Sequence, residues 1–393
     1  MDLINVKKED DTLVVGLKGH IDSNNASNVE AEINQAIEEN SPKDLIIDAK
    51  ELQYISSAGL RVILRLKKLF PNLKIVEVSS EIYEVFEITG FSEMMDIVKA
   101  YREISVEGCE VIGQGANGKV YRIDRDTIVK EYFNKDALPD IQRERELART
   151  ALILGIPTAI PYDVVKVGEG YGSVFELLNA QSFANLLIKD PSKIDEVVSM
   201  SVDLLKKIHG TEVKPGTMPE MKVVARDWIE FLKDYIDEDK YTKFAKMVDD
   251  IPDVHTMLHG DFHIKNVMLQ DNEVLLIDMD TLCVGHPIFE FASIYNAYQG
   301  YAIVDKDCVK NFLGIDFEVG KELWDKTLSQ YFSDRTPEEV KQIEDKAKLL
   351  GFARIMRRTI RRKGFDSEEG KTLIECSKKN IYELLDRVDS LTY

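Results

Sequence analysis

Several things are scarce in this chain of 393 residues, and each scarcity excludes something. Cys109, Cys283, Cys308 and Cys376 are its only cysteines; they stand far apart and form no CxxC pair. A disulfide scaffold and a cysteine-based zinc site are both poor readings of that pattern, and a reducing cytoplasm is the expected compartment. No stretch approaches the roughly 18 consecutive apolar residues of a spanning helix, so no membrane insertion is expected. The opening residues, MDLINVKKEDD, lack the basic-then-apolar layout of a signal peptide. Positive charge is in deficit, with 51 Lys and Arg against 70 Asp and Glu, a net charge of -19. Nucleic acids and anionic membranes are polyanions, so neither is an expected general partner. Internal repeats, low-complexity tracts and long Gly/Ser linkers are missing too. What is there is 44% hydrophobic and 31% charged residues, an ordinary folding composition. At about 150 residues per domain, the length predicts two or three domains.

The first hundred residues alternate strand-like and helix-like segments. Thr12 to Leu17 is a β-rich run ending at Gly19, and residues 25 to 38 carry Val29, Ile33 and Ile37 at helical spacing. Leu45 to Ile47 reads as a buried strand core, Ser57 to Leu69 as a helix and Leu73 to Val78 as a strand. Ser80 to Glu87 returns to helix, and Met95 to Val98 is a last short strand. This order predicts a small α/β sandwich. Around Ser105 to Cys109 the pattern changes. From Glu110 the chain reads strand, glycine-rich turn, strand, strand, then a charged helix from about Asp140. The remainder reads as mostly helical until a strand-turn-strand passage at Val267 to Ile277. The domain boundary is placed near residue 105.

Four motifs follow in order. Gly113-Gln114-Gly115-Ala116-Asn117-Gly118-Lys119-Val120 is a G-x-G-x-x-G-x-V stretch between two strand-like runs. Glycines let a backbone approach phosphates and present N–H donors to them. A strand rather than a long helix follows, which argues against a dinucleotide-binding fold. Next comes Lys130, on the apolar run Thr127-Ile128-Val129, a lysine that is costly to bury without a partner. Glu144 on the following charged helix is one partner and Glu146 competes for the role; the plainer alternative is a solvated strand-edge lysine. The third motif, His259-Gly260-Asp261-Phe262-His263-Ile264-Lys265-Asn266, is the most specific. Phosphoryl transfer needs a carboxylate that accepts a hydroxyl proton and an oxygen ligand for magnesium nearby, and Asp261 and Asn266 supply both. The fourth is Asp278, closing the apolar run Leu275-Leu276-Ile277, where a carboxylate could hold magnesium against phosphates. His255, His259 and His263 recur every four residues, but Gly260 interrupts any helix, so a three-imidazole metal face is disfavoured.

Together these motifs resemble protein-kinase-like enzymes and, more narrowly, the aminoglycoside phosphotransferase and choline kinase family. The resemblance rests on His259-Gly260-Asp261 with Asn266 five residues on, and on Gly285-His286-Pro287 followed by Glu290-Phe291-Ala292. It covers about residues 108 to 393 and implies an α+β two-lobed kinase-like domain, with the N-lobe over about 108–178 and the C-lobe over about 179–393. It also implies ATP and Mg2+ as cofactors. Gly113, Gly115, Gly118 and Val120 would cover the phosphates, and Lys130 and Glu144 would form the lobe ion pair. Asp261 would be the catalytic base, and Asn266 and Asp278 the metal ligands. Phe175 to Leu178 would be the hinge, with Glu176 and Leu178 meeting adenine. The family often has aspartate where Glu290 stands, and its loop over ATP often lacks this full glycine pattern. The acceptor is therefore left as either a small-molecule alcohol or a protein serine.

Residues 1–104 resemble the STAS domain of bacterial anti-sigma factor antagonists. The carrying residues are Gly19-His20-Ile21-Asp22, then Leu45-Ile46-Ile47-Asp48, and above all Tyr54-Ile55-Ser56-Ser57-Ala58-Gly59-Leu60-Arg61. The resemblance implies an α/β STAS sandwich with a regulatory protein partner at its face. It makes Ser57 the phosphoacceptor candidate, with Ser56 second because it stands where the family often has aspartate. Either serine suits the N-cap of the following helix, and a helix N-terminus also tolerates an added phosphate. Near the other end, Arg354, Arg357, Arg358, Arg361, Arg362 and Lys363 concentrate positive charge. They read either as a dock for an anionic substrate or acidic protein face, or as a solvated basic helix paired with the acidic run Glu338 to Asp345. The leading expectation is an ATP- and Mg-dependent phosphotransferase joined to a STAS regulatory domain. The alternatives are a signalling scaffold that binds nucleotide without turnover and a drug-resistance enzyme.

Overall fold

A computed structural model describes residues 3–115 and 117–393; Ala116, inside the glycine-rich turn, lies outside the described residues. Two compact units divide the chain, residues 1–105 with 165–169 and residues 106–164 with 170–393. Each has its own hydrophobic core.

The first unit is one five-stranded sheet in the order β1-β2-β3-β4-β5, formed by Ile4–Glu9, Thr12–Ile21, Asp44–Ile55, Lys74–Val78 and Asp96–Lys99. β1 and β2 are an antiparallel hairpin, and every later neighbour is parallel. Strict alternation buries Leu13, Val15 and Leu17 on β2 and Leu45, Ile47 and Ala49 on β3, so one face of each strand packs inward. Helices α1 (Ala26–Asn40), α2 (Ser57–Leu69) and α3 (Ser80–Ile88) cross between strands, as parallel pairing requires. α2 begins where the sequence placed it. Ser56 is its N-cap, its hydroxyl accepting from the N–H of Ala58 at 3.2 Å and of Gly59 at 3.5 Å. β2 runs past the expected stop at Gly19 to Ile21, because Gly19 takes φ +62 and shifts the pairing register without ending the strand.

The second unit opens with another five-stranded sheet. Its strands β6 (Glu110–Gln114), β7 (Gly118–Arg122), β8 (Thr127–Tyr132), β9 (Pro161–Val167) and β10 (Gly170–Glu176) lie in the order β6-β7-β8-β10-β9. β9 and β10 fall where the sequence was read as mostly helical; Gly168, at φ +56, turns the chain between them. Helix α5 packs nearby over Leu138–Ile153, after the four-residue helix α4 (Phe91–Met94) of the first unit. It starts two residues before the expected Asp140, since Pro139 in the first turn needs no N–H partner. The rest is helical apart from small ribbons, one of which pairs Val267–Gln270 with Glu273–Leu276. The long helix Pro337–Arg361 starts at a capping box of Thr336 and Glu339 and runs through the core beside the helix Ile288–Tyr295. None of the helices among the described residues is long and apolar enough to cross a membrane.

Candidate active site

A cleft of about 1110 Å³ in the second unit is lined by residues from all four sequence motifs. One wall is the loop 259–266. Gly260 sits at φ +80, and a Cβ there would lie 2.5 Å from the carbonyl oxygen of Thr281, so only glycine fits. Glu290, fully buried on the helix Ile288–Tyr295, accepts the His259 N–H at 2.5 Å and the Gly260 N–H at 3.0 Å. Burial works against the Glu290 carboxylate, but His209 and these donors outweigh it and hold its pKa below the usual range. The carbonyl of Gly260 accepts from Ser293 Oγ at 2.9 Å and from Arg354 Nη1 at 3.1 Å. His259 Nε2 faces the Ile277 carbonyl at 3.1 Å while its Nδ1 accepts the Asp261 N–H at 3.3 Å, which ties the loop to the strand passage behind it. His255, His259 and His263 thus lie on a loop, not a helix.

The Asp261 carboxylate stays open to the cleft. His263 Nε2 lies 3.6 Å from it. Burial raises its pKa, but His263 and then Arg354 overcome that and hold it at about 2. Asn266 donates its amide to the Asp261 carbonyl at 3.0 Å, which fixes the amide plane and leaves the side-chain oxygen free.

Lys130, on β8, donates to both oxygens of Glu144, at 2.8 and 3.1 Å, and to Asp278 at 2.9 Å. Burial disfavours the ammonium, yet these two carboxylates more than compensate and raise its pKa. Tyr132 also donates to Glu144. Glu146, the competing partner, is exposed and pairs with its neighbour Arg145. Asp278 takes a left-handed φ of +64, so the chain turns sharply there. Asp280 enters the same wall, its pKa pushed up to about 7 by burial and then by the charge of Asp278.

The three glycines differ in their reasons. A Cβ on Gly118 would meet the Glu131 carbonyl oxygen at 2.1 Å, so this glycine lets β7 lie against β8. A Cβ on Gly115 would meet open space and one on Gly113 only ordinary contact with Val120 at 3.7 Å, and both line the cleft with Gly118 and Val120. Gly115 N–H donates to the Gly118 carbonyl at 3.0 Å and closes the turn. At the opposite wall, the Glu176 and Leu177 N–H groups are taken by the carbonyls of Ile160 and Asp126. Glu176 and Leu178 both line the cleft.

In the first unit Ser57 is exposed at the first helical position, and Ser56 holds the cap. A Cβ on Gly59 would press on Ile55 at 2.7 Å, which explains that glycine.

Asp280 escaped the sequence reading, and Glu290 and Arg354 were named there without the contacts that the fold gives them. Asp280 follows Asp278 by two positions, close enough to have been noticed as a second acid of one turn. Glu290 is the lone charge in the apolar run IFEFASIY, and a lone buried acid implies a set of donors. Arg354 was one arginine among several, and only the fold shows which of them meets the loop.

Residues 4–104 match the family model of the STAS domain, and residues 108–312 match that of the phosphotransferase enzyme family. A Bordetella bronchiseptica protein named as an anti-sigma factor antagonist is 33% identical over 101 residues, 25% of this chain and 86% of that protein. The anti-sigma F factor antagonist of Paenibacillus polymyxa is 26% identical over 102 residues, 24% of this chain and 87% of its own length. Among solved structures, a thermostable mutant of an aminoglycoside phosphotransferase, in ternary complex with AMP-PNP and hygromycin B, aligns at a TM-score of 0.50 and 12% identity. It covers 72% of this chain and 94% of that one, and at that identity the likeness is one of fold.

Proposed function

This chain belongs to the phosphotransferase enzyme family and carries a STAS domain ahead of the family's domain, and we propose that it moves the γ-phosphate of Mg-ATP to a hydroxyl acceptor. The observation that carries the reading is the meeting, in one cleft, of Asp261, Asn266 and Asp278 with the Lys130–Glu144 pair. The working division is a STAS domain over 1–104 and a kinase-like domain over 108–393 whose N-lobe ends near 178. Adenine meets the backbone around Glu176 and Leu178, and Gly113, Gly115, Gly118 and Val120 cover the phosphates. Lys130, held by Glu144, meets the α- and β-phosphates.

The oxygen donors of this wall suit magnesium. Asn266 offers an amide oxygen whose nitrogen is already used, and Asp278 offers a carboxylate, both hard ligands of the kind magnesium takes. Asp280 adds a third oxygen donor to that wall. Magnesium bound there supplies neutralisation of the phosphate charge. Asp261 orients the acceptor hydroxyl and takes its proton. Held ionised by His263 and Arg354, the Asp261 carboxylate is ready to accept that hydrogen bond and then the proton. Glu290 and Arg354 position the loop that carries it.

For the STAS domain we propose a protein-binding face controlled by phosphorylation of Ser57. Its exposed hydroxyl is free of capping duty, whereas Ser56 is occupied by it. A phosphate there adds roughly -1.5 to -2 charge, enough to reject an acidic partner.

Intact-mass spectrometry and ADP release, measured on the full chain with Mg-ATP beside Asp261→Asn, test both parts. ADP formation with an acceptor, lost in the variant, supports phosphotransfer. One added phosphoryl group on Ser57, absent in the variant, would make the STAS domain an acceptor of its own chain's activity. Failure to bind ATP would sink the kinase reading.

A further inference from the structure

Resting on that reading, we infer that the acceptor is a small anionic alcohol, a hydroxyl compound bearing a phosphate or carboxylate, seated by Arg358 and Arg362. The cleft continues past Asp261 to the end of the helix Pro337–Arg361 and the start of the helix Glu368–Leu385. Arg354, Arg358 and Arg362 follow one another at four-residue steps and all line it. Four residues advance a helix by about 6 Å, so these guanidinium groups form one stripe leading away from the Asp261 loop.

Their duties differ. Arg354 is committed, donating to the Gly260 carbonyl and to Ser293 Oγ at 2.8 Å, with its guanidinium over the Trp228 ring. Arg358 and Arg362 are exposed, and among the described residues neither has a carboxylate within ion-pair distance. The acidic run expected to neutralise this helix end is occupied elsewhere. Glu344 pairs with Lys341 and Lys348, and Asp345 pairs with Arg387. Lys265 also lines the cleft, its ammonium donating to the Phe312 carbonyl at 3.1 Å. Glu369 lines it too but lies beyond ion-pair distance of both arginines. Lys130 is matched by Glu144 and Asp278, whereas Arg358 and Arg362 leave positive charge unmatched inside the cleft that carries Asp261, on a chain of net charge -19.

Paired guanidinium forks match the planar oxyanions of phosphate and carboxylate. Arg358 stands about one helical turn beyond the residue that touches the Asp261 loop, a span that a compound of a few carbons bridges. Its anionic end would rest on Arg358 and Arg362 while its hydroxyl reaches Asp261. The hydroxyl oxygen bonds to the γ-phosphorus, the bond from that phosphorus to the bridging oxygen breaks, and the hydroxyl proton leaves through Asp261. The products are ADP and a phosphate monoester. A polycationic amino sugar would meet the like charges of Arg358 and Arg362 at the same place.

The test is isothermal titration of the full chain, saturated with Mg-AMP-PNP, with glycerol 3-phosphate, ribose 5-phosphate and glycerate beside kanamycin and choline. We expect at least one anionic alcohol to bind tenfold or more tightly than either cation. In the double variant Arg358→Glu, Arg362→Glu that binding should weaken at least tenfold, while AMP-PNP affinity changes less than twofold. Preference among the three anions separates a phosphate-bearing acceptor from a carboxylate-bearing one. Binding of the cations but not the anions, no binding of any anion, or unchanged anion binding in the double variant would overturn the inference and leave the kinase reading standing. If AMP-PNP itself does not bind, the kinase reading fails first.

Discussion

The two ends of the cleft treat their charges differently. At the β-sheet end the charges are partly buried and balanced within the protein: Lys130 bridges Glu144 and Asp278, and Tyr132 caps the arrangement. At the helical end Arg358 and Arg362 are exposed and have no acidic partner among the described residues. A buried charge without its partner costs several kcal/mol, so the first arrangement has to be complete before any ligand arrives. An exposed guanidinium is hydrated and costs little, so the second can wait for its partner. The contrast teaches that the charges of the sheet end are part of the fold, whereas those of the helical end lie exposed to whatever enters the cleft.

The largest effect expected is on turnover. Asp261→Asn keeps the loop, whose backbone is held by Glu290, Ser293 and Arg354, but removes the proton acceptor. Phosphotransfer should fall by about 10²–10⁴-fold with AMP-PNP affinity nearly unchanged, read by ADP release and calorimetry. Next comes stability at the sheet end. Lys130→Ala strands Glu144, which is only 4% exposed, and should cost about 3–5 kcal/mol in urea unfolding, toward the lower figure because Tyr132 still donates to that carboxylate. If Lys130→Ala proves as harmless as an Arg358 variant, the two ends do not differ as argued. Glu290→Gln lies between them. It leaves the His259 and Gly260 N–H groups facing a neutral amide, with an expected loss of about 1–3 kcal/mol and a fall in kcat larger than any change in KM for ATP.

How much of this was legible beforehand divides along the same line. Local features were readable: Ser56 capping a helix that begins at Ser57, or Gly260 breaking a run of regularly spaced histidines. The sheet-end ion pair was half-readable, because Glu144 lies on the next helix, 14 residues beyond Lys130, but Asp278 joins it across 148 residues that no spacing rule spans. Strands β9 and β10 were missed because Pro161 to Glu176 mixes glycine and charge into its apolar runs, and β10 owes its place to pairing with β8, and β9 to its place beside β10, rather than to local pattern. Gly118 was given to phosphate binding on its motif and does line the cleft, but the 2.1 Å approach of Glu131 adds a packing demand that the motif does not show. The basic run at 354–363 was visible as charge, yet which arginines enter the cleft depends on how the helix Pro337–Arg361 is rotated in the core. Its buried Ile355, Met356 and Ile360 fix that rotation.

The smallest expected effect is the most discriminating for the helical end. Arg358 sits among Arg354, Arg361 and Arg362, and among the described residues no acid within ion-pair distance repays the crowding. Arg358→Ala should therefore leave stability within about 0.5 kcal/mol of the parent. The sign should favour the variant at low salt, because removing one of several like charges relieves repulsion. Raising the salt from about 0.01 M to 0.15 M shortens the screening length from about 30 Å to about 8 Å, so the advantage should shrink toward zero. Urea unfolding of both proteins at the two salt concentrations measures this. A variant less stable than the parent at low salt would mean that Arg358 already has a partner in the folded chain. Arg358 would then belong to the fold, as Lys130 does, and the contrast between the two ends would be lost.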